Sequence, residues 1–172
     1  MLNLKEYLRR RILDRVSYKG PTGLVPLKGM KHATILLDTS TPRLFDFQES
    51  LRKFFDAYGI ASAFYFLNLG KEETPAPQFS LPASTLSKNQ LSGYTKRPQL
   101  DKFNPAFFKK CDIFVSFSRE DIFPHKYLCV AIPADFKVGP FNDPEYKFNL
   151  VLSASDAPSM LSCLKDMLTK IA

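Results

Sequence analysis

The polar stretch Asp38-Thr39-Ser40-Thr41 is the part of the sequence best suited to ligand chemistry. It follows an apolar run and precedes Pro42, where a segment with helical periodicity begins. Hydroxyls and backbone N–H groups in front of a helix bind phosphate, so the stretch suits FMN, a nucleotide or another phosphate-bearing ligand. Because Ser40 or Thr41 also suits the cap of a helix that starts with proline, a purely structural role stays open. The stretch lacks the Gly residues of the dinucleotide and P-loop patterns, and Asp38 repels phosphate unless a cation intervenes.

A second polar stretch, Ser118-Arg119-Glu120-Asp121, follows a later apolar run. The planar guanidinium of Arg119 suits an anion, although such a residue is more often a solvated surface charge. In open α/β sheets, ligands bind outside the carboxyl ends of the strands, and this rule gives a set of candidate ligand-binding residues. The candidates are Asp38, Thr39, Ser40, Thr41, Asn68, Ser116, Ser118, Arg119, Asp121 and Ser153.

Catalytic and metal-binding signatures are weak. The two histidines, His32 and His125, have no recognisable partner spacing, although Asp121 precedes His125 by one turn if that stretch is helical. The three cysteines match no zinc or disulfide pattern, and we expect buried, reduced thiols. The sequence therefore predicts no metal site, identifies no cofactor, and leaves open whether the protein is an enzyme.

The elements that position these residues begin with a strand–helix–strand unit. Ala33 to Leu37 is a short apolar run, typical of a strand that is buried on both faces. Apolar residues recur at helical spacing from Leu44 to Tyr58, and Gly59 suits the end of that helix. Ile60 to Leu67 is a second buried run. This order predicts a right-handed βαβ unit.

Further strands and helices alternate along the rest of the chain. Residues 68–102 are punctuated by prolines and predict only an edge strand near Phe79-Ser80-Leu81 and a turn near Ser92-Gly93. The later elements are a short helix at 105–110 capped by Asn104, a strand at 112–117, a short helix at 124–131, strands at 135–138 and 147–152, and a final helix capped by Ser155 or Asp156. Residues 127–132 also suit a strand by composition. The pattern predicts an α/β fold: a mostly parallel sheet of about five strands with helices on both faces, flavodoxin-like or Rossmann-like.

Residues 2–17 predict a helix that carries most of the net charge. Its apolar stripe recurs at every fourth position and consists of Leu4, Leu8, Ile12 and Val16. Residues 1–31 contain eight Lys and Arg against two acidic residues, which gives +6 of the chain's net charge of +7. We therefore divide the chain into a basic N-terminal helix and linker, 1–31, and a single α/β domain, 32–172.

The arginines of this helix are candidate partner-binding residues, namely Arg9, Arg10, Arg11 and Arg15. A basic amphipathic helix binds a protein partner, an anionic membrane surface or RNA phosphates, and nucleic acid is the least favoured because the remaining chain is nearly neutral. The alternative is that the stripe packs on the domain and the arginines stay solvated. The preferred interpretation is a non-enzymatic interaction protein. A small-molecule binder or enzyme that uses the strand-end cleft is the alternative.

The sequence resembles that of a cytoplasmic rather than an exported or membrane protein. The N-terminal residues show no secretory pattern, and no apolar run approaches the roughly 20 residues of a membrane span. We therefore expect a cytoplasmic location.

Three sequence segments carry a family resemblance: Asp38-Thr39-Ser40-Thr41, Phe54-Phe55-Asp56-Ala57-Tyr58-Gly59 and Ala134-Asp135-Phe136-Lys137-Val138-Gly139. Together they resemble a family of small, uncharacterised bacterial proteins of about this whole length. The resemblance implies a stand-alone domain and supplies no activity, cofactor or catalytic residue. If the third segment has a function in the family, Lys137 is the residue to test, and we add it to the ligand-binding candidates.

Overall fold

Eight strands and four α-helices are found in residues 3–70 and 84–171, the part of the chain that the computed structural model describes. The strands are β1 (His32–Asp38), β2 (Ala61–Asn68), β3 (Thr85–Ser87), β4 (Leu91–Ser92), β5 (Arg97–Pro98), β6 (Cys111–Ser116), β7 (Ala134–Gly139) and β8 (Leu150–Val151). The helices are α1 (Leu4–Val16), α2 (Leu44–Asp56), α3 (Phe123–Ala131) and α4 (Ala157–Lys170).

Six of the strands form one sheet in the order β3-β2-β1-β6-β7-β8. Every neighbouring pair in it is parallel, so the carboxyl ends of all six strands lie at one edge. The chain order reverses between β1 and β6, which is the topology of a Rossmann sheet. The expected α/β class is confirmed. The sheet has six strands rather than about five, because β3 pairs with the end of β2.

The centre of the sheet is β1, and its side chains alternate between two apolar layers. Ile35 and Leu37 pack with buried residues of α2 and α4, while Leu36 packs with buried residues of α1 and α3. All three side chains are fully buried. A strand that is covered on both faces is apolar at most positions, which is why Ala33 to Leu37 is a nearly continuous apolar run. The predicted helices on both faces are confirmed.

The entry into α2 differs from the prediction. The helix begins at Leu44, and its N-cap is Arg43 in the left-handed region (φ 51°), with no side-chain cap. The N–H of Thr41 donates to the Asp38 carbonyl, which closes a turn between β1 and the helix. The prediction that Ser40 or Thr41 caps a helix starting at Pro42 is therefore wrong, because this turn takes up the residues that the cap would use.

Most later elements occur where the sequence predicts them. Asn104 accepts from the N–H of Ala106 and caps a 3₁₀ helix at Pro105–Phe108, and Asp156 caps α4. The turn at Gly93 joins β4 and β5, which form an antiparallel hairpin. Residues 127–132 are helical apart from Ile132, so the strand alternative is wrong. The predicted edge strand at 79–81 lies outside the described residues.

Two further predictions need correction. The last strand is only Leu150–Val151, because a 3₁₀ turn at Pro144–Tyr146 is followed by Lys147 in the left-handed region. Among the three thiols, Cys111 and Cys129 are buried as expected, but Cys163 is exposed. Cys163 lies on the outer side of α4, and only the face of Met160, Leu161, Leu164 and Leu168 is buried.

Helix α1 packs against the sheet layer that contains α3, and only part of the predicted stripe takes part. Leu13 is its one fully buried side chain among the described residues, and Ile12 and Val16 pack at the edge of the same layer. Leu4 is 64% exposed. The seam between α1 and α3 therefore uses Leu13 together with the C-terminal half of the predicted stripe.

Candidate functional site

The loop after β6 is fastened to the end of β1 by the carboxylate of Asp38. The Ser118 hydroxyl donates to Asp38 Oδ1 at 2.8 Å, and the Arg119 N–H donates to Oδ2 at 3.0 Å. These two strand ends meet at the point where the order of the sheet reverses. Three of the predicted ligand-binding residues, Asp38, Ser118 and Arg119, are therefore brought together at the strand ends, as the sequence predicts.

The Asp38 carboxyl is almost completely enclosed, with 8% of the residue exposed. Burial raises its pKa to about 6, although the two hydrogen bonds from Ser118 and Arg119 act in the opposite direction. Both carboxylate oxygens are occupied by these donors. The hydrogen bonds of Asp38 therefore serve to connect β1 with the loop after β6, and its carboxylate is not free to contact a ligand.

A serine–histidine pair lies directly beneath this link. The carbonyl of Glu120 lies 2.8 Å from Nδ1 of His125, and because a carbonyl only accepts, Nδ1 carries the proton. Nε2 is then an acceptor, and the Ser116 hydroxyl donates to it at 2.7 Å. Both residues are completely buried, and burial lowers the pKa of His125 to about 4. The pair has the geometry of an activated serine but no solvent access.

The pairing of His125 with Asp121 is not formed in the structure. Residues 118–122 are irregular rather than helical, and Asp121 Oδ1 instead accepts from the Tyr146 hydroxyl at 3.0 Å. Sequence spacing does not indicate the Ser116–His125 pair, because the eight intervening residues include an irregular loop that brings the chain back to the end of β6.

The remaining strand-end candidates are spread along the same edge. Thr39 donates through its hydroxyl to the Asn68 side chain at 3.1 Å, which joins the ends of β1 and β2. Ser40 and Ser153 are exposed, and Thr41 is half-buried in the turn. Lys137 is not at this edge of the sheet. It is buried within β7, and its Nζ donates to the carbonyls of Cys129 and Val130 at the end of α3.

A cavity of about 480 Å³ lies between α1, the start of α3 and the hairpin β4–β5, and we call it the α1–α3 cavity. Its lining from the sheet side comes from segments that follow strand ends: Leu69 after β2, Lys88 after β3, Asp121 and Ile122 after β6, and Glu145 after β7. The cavity is therefore at the carboxyl edge of the sheet, where ligands of open α/β folds bind. Helix α1 supplies the outer wall with Glu6, Arg9, Arg10 and Leu13.

The walls of the α1–α3 cavity combine an apolar floor with charged side chains. The apolar part comes from Leu13, Leu69, Leu91, Ile122, Phe123 and Pro124. The charged part comprises Arg9, Arg10, Lys88, Lys96 and Lys126 together with Glu6, Asp121 and Glu145, so cations outnumber carboxylates. Lys126 Nζ lies 2.7 Å from Asp143 and 2.9 Å from Glu145. Its charge is thus shared with neighbouring carboxylates.

Arg9 is held in the wall of this cavity by contacts with three other residues. Its Nε donates to the Thr95 carbonyl at 3.1 Å, and its Nη1 donates to Glu6 at 3.0 Å. The guanidinium lies over the Phe123 ring at 5.0 Å from the centroid. Nη2 makes no hydrogen bond within residues 3–70 and 84–171. The side chain is thus fixed on three sides and keeps donors for a further anion.

The four predicted partner-binding arginines face different ways. Arg9 and Arg10 line the α1–α3 cavity, and Arg10 Nε also pairs with Glu145 at 3.1 Å. Arg11 contacts the Tyr7 ring and hydroxyl of its own helix, and Arg15 is exposed. The sequence could not show that α1 lies over the strand ends, because nothing in a helical period specifies which part of the domain it covers.

Comparison with known protein families gives one match. A family described as "Family of unknown function (DUF6913)" matches residues 3–171. The chain belongs to this family. Neither the curated proteins nor the solved structures give a match. The family therefore supports the expected resemblance to an uncharacterised group and carries no activity over to this chain.

Two further features of the described residues concern membranes and metals. No helix among them is long and apolar enough to cross a membrane. Within the same residues, no group of three or more His, Cys, Asp or Glu side chains is arranged to hold a metal ion.

Proposed function

We propose that this protein binds a small organic anion, through a phosphate or carboxylate group, in the α1–α3 cavity. The observation that carries the proposal is the ordered guanidinium of Arg9, which lines the cavity and keeps Nη2 donors without a partner among the described residues. A guanidinium that is already fixed by Thr95, Glu6 and Phe123 loses little conformational freedom when an anion binds to it.

The size and position of the cavity support this function. A volume of about 480 Å³ is within the range of small-molecule pockets. The apolar floor contributed by Leu13, Leu91 and Phe123 suits the carbon framework of the ligand, while the excess of cations suits its acidic group. Ser118 and Arg119, which the sequence suggests as ligand-binding residues, then support the cavity indirectly. Their hydrogen bonds to Asp38 hold the loop that leads to Asp121 and Ile122.

Binding fits the geometry better than catalysis. The nucleophile and base nearest the strand ends, Ser116 and His125, are fully buried, and burial holds the pKa of the imidazole near 4. Both oxygens of the Asp38 carboxylate already accept hydrogen bonds. We therefore propose a non-enzymatic ligand-binding protein, acting in the bacterial cytoplasm, where three free thiols stay reduced.

Isothermal titration calorimetry with three probes tests the function. AMP and inorganic pyrophosphate represent phosphate ligands, and citrate represents carboxylate ligands. We expect saturable binding of at least one probe and a loss of about tenfold or more in affinity for Arg9→Ala, because a hydrogen bond to a charged group contributes about 1.5–3 kcal/mol. The matched control is Arg15→Ala, which removes the same charge from the exposed side of the same helix and leaves affinity unchanged. The proposal is wrong if no probe binds, or if both variants bind equally well.

A further inference from the structure

The tip of the hairpin β4–β5 carries an exposed tyrosine among basic side chains. Tyr94 is 59% exposed, and the Lys5 ammonium of α1 lies over its ring at 5.6 Å from the centroid. Lys96 and Arg97 follow it in the chain and are exposed. We call Lys5, Tyr94, Lys96 and Arg97 the hairpin surface.

The cations of the hairpin surface differ in their ion pairing from those of the α1–α3 cavity. Lys5, Lys96 and Arg97 form no ion pair within residues 3–70 and 84–171, whereas Arg9, Arg10 and Lys126 are all paired with carboxylates. Unpaired cations that share one surface attract a partner with repeated negative charge and give an interaction that weakens with salt.

The hairpin surface also connects two cavities. Lys96 lines the α1–α3 cavity on one side. Arg97 lines a second cavity of about 500 Å³ on the other side, together with Asp101, Lys102 and Tyr127. A partner that lies across the hairpin is therefore an extended chain rather than a compact ion.

We propose that the hairpin surface binds single-stranded nucleic acid, with a base stacked on Tyr94 and phosphates held by Lys5, Lys96 and Arg97. Single strands present bases and phosphates in alternation, and proteins bind them through exposed aromatic rings flanked by cations. An acidic peptide matches the charge but has no regular series of planar rings for Tyr94. Duplex nucleic acid keeps its bases stacked on each other and leaves none for the ring.

Fluorescence anisotropy with a 12-nucleotide fluorescein-labelled oligo(U) RNA tests this inference on the full chain. We expect binding at low salt that Tyr94→Ala weakens at least about fivefold, since stacking of one base contributes about 1–3 kcal/mol. Tyr94→Phe restores it. Arg97→Ala should reduce the slope of log affinity against log salt by about 0.7, the value for one phosphate contact of a single strand.

Matched controls are available on the opposite face of the sheet. Tyr58→Ala removes another exposed tyrosine, and Arg52→Ala removes another exposed arginine, and both should bind as the unchanged protein does. The inference is overturned if the oligonucleotide does not bind, if Tyr94→Ala and Tyr58→Ala bind equally well, or if a duplex or poly-glutamate competes as well as unlabelled oligo(U).

The proposal for the hairpin surface and the proposal for the α1–α3 cavity can be refuted independently of each other. Tyr94 does not line the cavity, so Tyr94→Ala should keep calorimetric binding of the small probes. If no small probe binds while oligo(U) binding depends on Tyr94, the hairpin inference stands and the proposed function falls. If a small probe binds while oligo(U) does not bind, the proposed function stands and the hairpin inference falls.

Discussion

The Ser118 hydroxyl donates a 2.8 Å hydrogen bond to Asp38, and this contact joins the loop after β6 to the end of β1. Ser118→Ala removes the donor and leaves a buried carboxylate oxygen without a partner. We expect a loss of about 1–3 kcal/mol in the free energy of unfolding at pH 8 and a smaller loss at pH 5, where Asp38 is protonated. Urea denaturation at both pH values measures it. Equal losses would show that the Asp38 charge plays no part.

The raised pKa of Asp38 makes its ionised form unfavourable in the folded protein. Burial raises that pKa from 3.8 to about 6, so the folded state binds the proton more tightly than the unfolded state does. Stability from this group therefore increases as the pH falls from about 6 towards 4. Asp38→Asn removes the titration, and its amide can keep both partners because the Ser118 hydroxyl can rotate to accept. Relative to the unchanged protein, we expect this variant to gain about 3 kcal/mol between pH 4 and pH 8.

His125 titrates in the opposite sense over nearly the same pH range. Complete burial lowers its pKa from 6.5 to about 4, so the unfolded state takes up the proton first and stability is lost as the pH falls below about 6.5. We expect His125→Gln to remove this loss and Asp38→Asn to expose it. Thermal denaturation from pH 4 to pH 7 should give opposite slopes for the two variants relative to the unchanged protein. Parallel slopes would contradict both burial effects.

Lys137 tests whether a buried charge at the end of α3 is structural. Its Nζ donates to the Cys129 carbonyl at 2.8 Å, and burial lowers its pKa from 10.5 to about 8. Because the unfolded state binds the proton more tightly, stability from this group rises as the pH increases from about 8 to 10.5. Lys137→Met removes that rise, which denaturation at pH 7.5 and pH 10 measures. A variant that instead loses calorimetric probe binding while its stability profile is unchanged would give Lys137 the ligand role suggested from the sequence.

Leu13 tests the attachment of α1. It is 6% exposed and packs in the layer that contains α3, so Leu13→Ala should cost about 2–3 kcal/mol of unfolding free energy. Leu4→Ala is the matched control, since Leu4 is 64% exposed and its loss should change stability by less than about 0.5 kcal/mol. Guanidinium denaturation measures the free energy of unfolding of both variants. Equal effects would mean that α1 does not use the seam with α3.

The sequence predicted the fold well where one physical rule dominates. A strand covered on both faces is mostly apolar, and β1, β6 and the buried second half of β2 follow this rule. The cap of α2 was wrong because a turn from Asp38 to Thr41 displaced the start of the helix, and turns of this kind depend on hydrogen bonds that composition does not specify. The approach of Asp38 to Ser118 followed from the meeting of parallel strand ends at one edge.

The α1–α3 cavity could not be predicted from the sequence, for a different reason. Arg9, Lys96 and Asp121 are far apart in the chain and meet only because α1 lies over the strand ends. The sequence indicates the basic helix but leaves open whether its arginines bind a partner or stay solvated while the helix packs on the domain. Two of its four arginines instead face the domain.

The location of ligand binding is the most direct test of the proposed function. Two-dimensional ¹⁵N–¹H spectra of the full chain, titrated with AMP, pyrophosphate and citrate in turn, report it at each amide. The account predicts that at least one probe shifts amides of α1 around Arg9, of the hairpin around Lys96, and of residues 121–126. The largest shifts at the turn from Thr39 to Thr41, with α1 unaffected, or no shifts with any probe, would contradict it.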